Sequence, residues 1–213
     1  MKVERRNIKQ VELIESREAG QLPVIRGLAA PFNQVCDEPI WGEFYEMISP
    51  GAFSRALNDP KTVCIANVQH SDQVLPVARF KGGKGTLSMR ETDAGLEIEV
   101  VPPNTEDGRA LVEALRRGDI DGMSFAFRAI KDNWNGVHNG LPLRILQDVD
   151  LYDVAFVTTP AYSGTTASVR SGEMTKAEYR SMVEKSTGIS SEERKRKLKL
   201  LELQNLGESS VSE

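Results

Sequence analysis

Between Pro23 and about Arg170 the chain advances in short apolar or alternating runs, each broken by Gly, Pro, Asn or Asp. That pattern restricts the region to strand-rich structure with frequent turns. The candidate strands are VIRGLAAPF, TVCIANVQ, LPVARF, GTLSMRET, GLEIEVVP, DGMSFAFRAI, PLRILQDVDL and DVAFVTTP. In GLEIEVVP, Leu96, Ile98 and Val100 alternate with Glu97 and Glu99, so one face is dry and the other wet, as in a half-buried strand.

Two helical segments interrupt the strands. SPGAFSRALND has Ser49 as a candidate N-cap, Pro50 at the first helical position and Pro60 beyond its end. NTEDGRALVEALRRGD carries Ala110, Leu111, Ala114 and Leu115 at helical spacing and stops at Gly118. After Arg170 the sequence turns polar and densely charged, and Ser191-Glu192-Glu193 followed by ERKRKLK and Leu201 reads as an amphipathic helix with a Ser-rich end. Three regions follow: an N-terminal extension or first strand over 1–22, a strand-rich domain over 23–170, and a charged helical or flexible tail over 171–213.

Composition narrows the function classes. Lys+Arg 27 against Asp+Glu 31 gives a net charge of −4, which offers no global positive field for nucleic acid. Hydrophobic residues at 39% suit an ordinary soluble globular chain, and MKVERRNIKQVELIES lacks the apolar stretch of a signal peptide. A cytoplasmic protein that engages neither membrane nor nucleic acid is expected. Cys36 and Cys64 form no CxxC or Cys/His grouping, so two reduced thiols and no metal or organic cofactor are expected.

Chemistry has few residues to draw on. Only His70 and His138 are present; His138 lies in the Asn- and Gly-rich NWNGVHNGLP, read as a solvated turn. His70 follows the apolar TVCIANVQ and opens a polar turn, placing an imidazole at a strand end where a general base belongs. Ser124 begins the SFAF run just after the Asp121-Gly122 turn, where a rigid strand presents a hydroxyl near a rim. Taken alone, each also fits an ordinary role: a surface or capping histidine, and a serine bonding locally at a strand start. A serine hydroxyl needs a base, and the base needs a third group to hold its tautomer. Asp153 in DVDLYDVAFV is the candidate for that third role, with Asp148 and Asp150 competing; spacing does not choose among them. Arg128, four residues beyond Ser124, is a possible oxyanion or substrate-anchoring group as well as an ordinary solvated strand charge.

In series, IRGLAAPFN, YEMISPGAF, NVQHSD, GLEIEVVPPNT, GDIDGMSFAF and DLYDVAFVTTPAY resemble the prohead proteases of tailed bacteriophages, the HK97-like capsid maturation peptidases. The resemblance runs from about Val24 to Arg170. It implies a mainly β, α+β fold: a compact β-barrel ringed by helices, of the herpesvirus assembly protease type. It further implies a serine endopeptidase that cleaves the scaffolding segment of the major capsid protein inside assembling procapsids in the host cytoplasm, and then itself. His70 matches the family histidine and Ser124 the family serine, with backbone N–H groups stabilising the oxyanion. Two departures stand out. Asp153 and Ala155 occupy positions where glutamate and serine are usual, and Gln69 precedes His70 where asparagine is usual. They keep open an alternative, a catalytically inactive assembly or scaffold protein on the same fold. A homodimer is suggested by analogy with the herpesvirus enzymes.

Overall fold

The structure, a computed structural model, describes residues 4–8, 11–14, 22–158 and 175–208. The expected boundary at 170/171 and the end of the VTTPAY motif lie outside those residues. In chain order the elements are β1 (Glu4–Ile8), β2 (Val11–Ile14), β3 (Val24–Pro31), β4 (Tyr45–Ile48), α1 (Ser54–Asn58), β5 (Val63–Val68), β6 (Ala78–Lys81), β7 (Lys84–Gly85), β8 (Leu87–Glu91) and β9 (Gly95–Val100). They continue with α2 (Glu106–Arg117), β10 (Gly122–His138), β11 (Leu141–Val157), α3 (Lys176–Thr187) and α4 (Ser191–Glu208).

The mainly β, α+β architecture is the one the sequence indicates, but the strands do not close into a barrel. They form two sheets. One has the order β1-β10-β11-β5-β6-β7, with β4 pairing the N-terminal half of β11; the other has the order β2-β3-β9-β8. The alternating runs specify which face each strand buries, whereas closure depends on which edges pair, and that information is not in the alternation. Ile25, Leu96 and Ile98 of the smaller sheet meet Phe125, Phe127, Val154 and Phe156 of the larger in one apolar core. Burying each such side chain is worth roughly 1.5–3 kcal/mol.

Local chemistry explains most elements, and three expectations need correction. α2 has Thr105 accepting from the Gly108 N–H at its start and Gly118 at φ +76° at its end. The first helix is shorter than SPGAFSRALND suggests. Gly51 takes φ +87°, which breaks the helical path, and the Ser49 hydroxyl donates to the Leu146 carbonyl instead of capping. The Phe53 N–H and Ser54 hydroxyl are both received by Glu91 at the start of α1.

The Asn- and Gly-rich segment around His138 is not a long turn. β10 runs to His138 and pairs with β11, leaving Asn139 and Gly140, at φ +44° and +71°, as a two-residue reversal. His138 packs edge-on against Tyr45 with ring centroids 4.7 Å apart. PLRILQDVDL and DVAFV, read as separate strands, are one.

Charged residues hold the strands and C-terminal helices together inside the protein. Arg144 is 1% exposed and donates to Glu4 at 2.5 and 3.0 Å, Glu46 at 3.1 Å and Asp132 at 2.7 Å. Arg6 makes a two-pronged contact with Glu46 at 2.6 and 2.8 Å, and the Tyr179 hydroxyl of α3 donates to Glu4. Burial opposes the charge on Glu4, yet Arg144 and Arg6 outweigh it and hold its carboxyl below the usual range. Beside this network Tyr179 and Val183 pack with Phe44. Glu43 receives Arg180 of α3 at 2.5 Å and Arg194 of α4 at 2.8 Å. α3 itself opens with a capping box between Thr175 and Glu178.

Candidate active site

Two adjacent strands of one hairpin and the end of a third build the site. On β10 the core members are Met123, Phe125 and Phe127, so strand alternation turns Ser124, Ala126 and Arg128 to the opposite face. On β11 the core members are Val149 and Leu151, then Val154 and Phe156. The step from odd to even positions marks a bulge. Phe127 pairs with Leu151 but Ala126 pairs with Asp153, leaving Tyr152 as the extra residue. Without that extra residue Asp153 would point into the core; with it, Asp153 shares a face with Ser124.

β5 runs parallel to β11 and ends at Val68. Ser71 N–H then bonds the Val68 carbonyl at 3.0 Å across Gln69 and His70, whose φ values are +55° and +53°. Both central residues are left-handed, as in a type I′ turn, and the turn folds the imidazole back over the sheet. That conformation costs a residue with a β-carbon roughly 1–2 kcal/mol.

His70 Nε2 lies 2.6 Å from Ser124 Oγ, and His70 Nδ1 lies 2.5 Å from Asp153 Oδ1. Ser124 is 0% exposed, while the His70 and Asp153 side chains are 10% and 14% exposed. The three residues singled out from the sequence are thus in one hydrogen-bonded series. The competing carboxylates are elsewhere. Asp148 receives Arg55 at 2.9 Å, and Asp150 receives Arg55 at 2.6 Å as well as Arg128. Burial opposes the Asp150 charge, and the two arginines prevail, holding its carboxyl below the usual range. Arg128, paired in register with Asp150, stands four residues or about 13 Å along the strand from Ser124, too far to meet an oxyanion there.

Neither cysteine offers a competing nucleophile. Burial, and secondarily the Asp153 charge, pushes the Cys64 thiol far up; burial pushes Cys36 up to about 11. Among the described residues no three His, Cys, Asp or Glu side chains gather as around a metal ion, and no helix is long and apolar enough to cross a membrane. An arrangement of hydroxyl, imidazole and carboxylate within hydrogen-bond reach can deprotonate the hydroxyl and stabilise the resulting imidazolium, which is the requirement of acyl transfer. One polar residue beside the series was passed over in the sequence: Asn67, the lone amide inside the apolar run VCIANV, is 2% exposed.

Residues 7–180 match the family model described as caudovirus prohead serine protease. The prohead protease of Enterobacteria phage HK97 is 26% identical over 144 residues, which cover 67% of this chain and 57% of that protein. The chain therefore spans little more than half the length of that relative. The capsid assembly protease of bacteriophage T4 superposes with a TM-score of 0.49 at 14% identity, over 75% of this chain and 98% of that one.

Proposed function

The chain belongs to the caudovirus prohead serine protease family, and from that membership we propose that it is a serine endopeptidase that trims a phage major capsid protein at its scaffolding segment, and then itself, within the assembling procapsid. The observation that carries the reading is the series Ser124 Oγ, His70 Nε2 and Nδ1, Asp153 Oδ1, with its two links of 2.6 and 2.5 Å.

In this reading Ser124 Oγ attacks the scissile carbonyl while His70 Nε2 takes its proton. Asp153 keeps the other ring proton on Nδ1 and stabilises the imidazolium. His70 then returns the proton to the leaving amine, and water hydrolyses the acyl-serine by the same exchange. Asp153 stands where a glutamate is usual, one methylene shorter, and its Oδ1 lies 2.5 Å from His70 Nδ1. The proposal takes 23–170 as the protease domain, 1–22 as its N-terminal strand region and 171–213 as a tail. It includes a homodimer, by analogy with the herpesvirus enzymes, and a site of action in the host cytoplasm.

Expression with the capsid protein of the same phage tests the reading. Wild type should shorten the capsid protein and itself, and Ser124→Ala should leave both at full length. Equal trimming by both would remove Ser124 from the mechanism; no trimming by wild type would favour an inactive assembly protein.

A further inference from the structure

His70 enters the site on a strained reversal. Gln69 and His70, both with β-carbons, take φ values of +55° and +53°. Successive residues hold that conformation only where surrounding contacts over-determine it. One such contact closes the turn itself, the bond of 3.0 Å from the Ser71 N–H to the Val68 carbonyl. Two more belong to Gln69, and both run to the end of β11. Its N–H donates to the Phe156 carbonyl at 3.0 Å, and its side-chain Nε2 donates to Thr158 Oγ1 at 2.9 Å.

Asp153 precedes Phe156 by three residues on the same strand. The turn that carries the imidazole is therefore fastened to the strand that carries its carboxylate partner, while Ser124 meets the other ring nitrogen from β10. The bond from the Gln69 N–H fixes where the chain leaves β11, but a single bond leaves the turn free to tilt about it. A second bond, made by the side chain to a residue two positions farther along, removes that freedom. Gln69 and Thr158 are both exposed, so water competes for their bond and its share of the global stability is small. Its effect falls on placement, because a base takes a proton only from within hydrogen-bond reach and small displacements there are costly in rate.

We propose that Gln69 is a positioning residue of the site: the bond from its carboxamide to the Thr158 hydroxyl sets the tilt of the His70 imidazole over Ser124. The assignment rests on the reading of Ser124 as nucleophile and His70 as base, and deepens it by naming what aims the base. Gln69 acts through His70 rather than on the substrate, so loss of the bond should slow the chemical step and leave binding unchanged.

The test uses the full chain and a fluorophosphonate probe, which modifies an activated serine. Wild type, Ser124→Ala, Thr158→Val, Thr158→Ser, Gln69→Asn and the double variant Gln69→Asn with Thr158→Val are compared. The readouts are the saturating rate of modification, the half-saturating probe concentration and Tm. Valine removes the hydroxyl at nearly constant shape, serine keeps it, and asparagine accepts the left-handed φ but stops one methylene short of Thr158. We expect modification of wild type at Ser124 and none in Ser124→Ala. The saturating rate should be about fivefold lower in Thr158→Val and in Gln69→Asn, no lower still in the double variant, and unchanged in Thr158→Ser. Half-saturation should stay within about twofold of wild type and Tm within about 3 °C. A rate within twofold of wild type in either single variant, equal losses in Thr158→Ser and Thr158→Val, multiplied losses in the double variant, a change confined to half-saturation, or a rate loss accompanied by a larger fall in Tm would each overturn the assignment. Absence of labelling in wild type would instead overturn the nucleophile reading on which it depends.

Discussion

Arg194→Ala decides whether the C-terminal helices are part of the folded body or an appendage. Arg194 is 0% exposed, its Nε donates to Glu43 at 2.8 Å, and a second guanidinium nitrogen donates to the Ile189 carbonyl. Glu43 is itself buried and has one other cation, Arg180, at 2.5 Å. Removing one member of a buried pair costs about 3–5 kcal/mol, because the survivor stays desolvated. Arg180 remains to share the load, so the lower figure, about 3 kcal/mol, is the expectation. At 2–4 °C per kcal/mol for a chain of this size, Tm should fall by about 6–12 °C in differential scanning calorimetry. Glu43→Ala should cost more, about 5 kcal/mol, since it leaves the fully buried Arg194 unpaired. The pair Glu43→Leu with Arg194→Leu should recover much of the loss, the signature of coupling between them. A fall of less than 2 °C for Arg194→Ala would refute the argument. It would also mean that the contacts of residues 175–208 with Glu43 add little to the stability of the body.

Asp153→Asn should lower kcat by about 10⁴-fold, while Asp148→Asn and Asp150→Asn each stay within about tenfold, measured on a fluorogenic peptide; comparable losses at all three would dissolve the assignment of Asp153. Gln69→Asn should raise Tm by about 2 °C, because asparagine accepts the left-handed φ of +55° at lower cost; an unchanged or lower Tm would mean the turn is unstrained. Glu4, Glu43 and Asp150 all have carboxyls held below their ordinary values. The stability they contribute is present above the unfolded value of 4.5 for glutamate and is lost as pH falls through the lower folded values. Urea titrations should therefore show a flat midpoint from pH 7 to about 5 and a decline below about 4.5, with a shallower decline in Glu43→Gln; a midpoint that rises on acidification would contradict the sign.

Much of this was open to reading in the residues. The alternation of Leu96, Ile98 and Val100 located β9, and Thr105 and Gly118 bounded α2, because those signals are local. What stayed hidden depended on pairing. The Asn133–His138 stretch carries loop composition but is strand because β11 supplies its hydrogen bonds. Asp148, Asp150 and Asp153 were indistinguishable because a period of two cannot register a bulge, and Tyr152 displaces the parity by one. Nothing in the local sequence of Glu4, Glu46 and Arg144 reveals that they neutralise one another in the interior.

The β10–β11 hairpin also sets an order in time. Ser124 and Asp153 are delivered together by one reversal at Asn139-Gly140, whereas His70 is 54 residues upstream of the serine and 83 upstream of the aspartate. A nascent chain displaying His70, and even Ser124, has no third member until residues through Val157 have been made and paired. The hydrogen-bonded series is therefore completed only when the hairpin that carries two of its members has been made and paired.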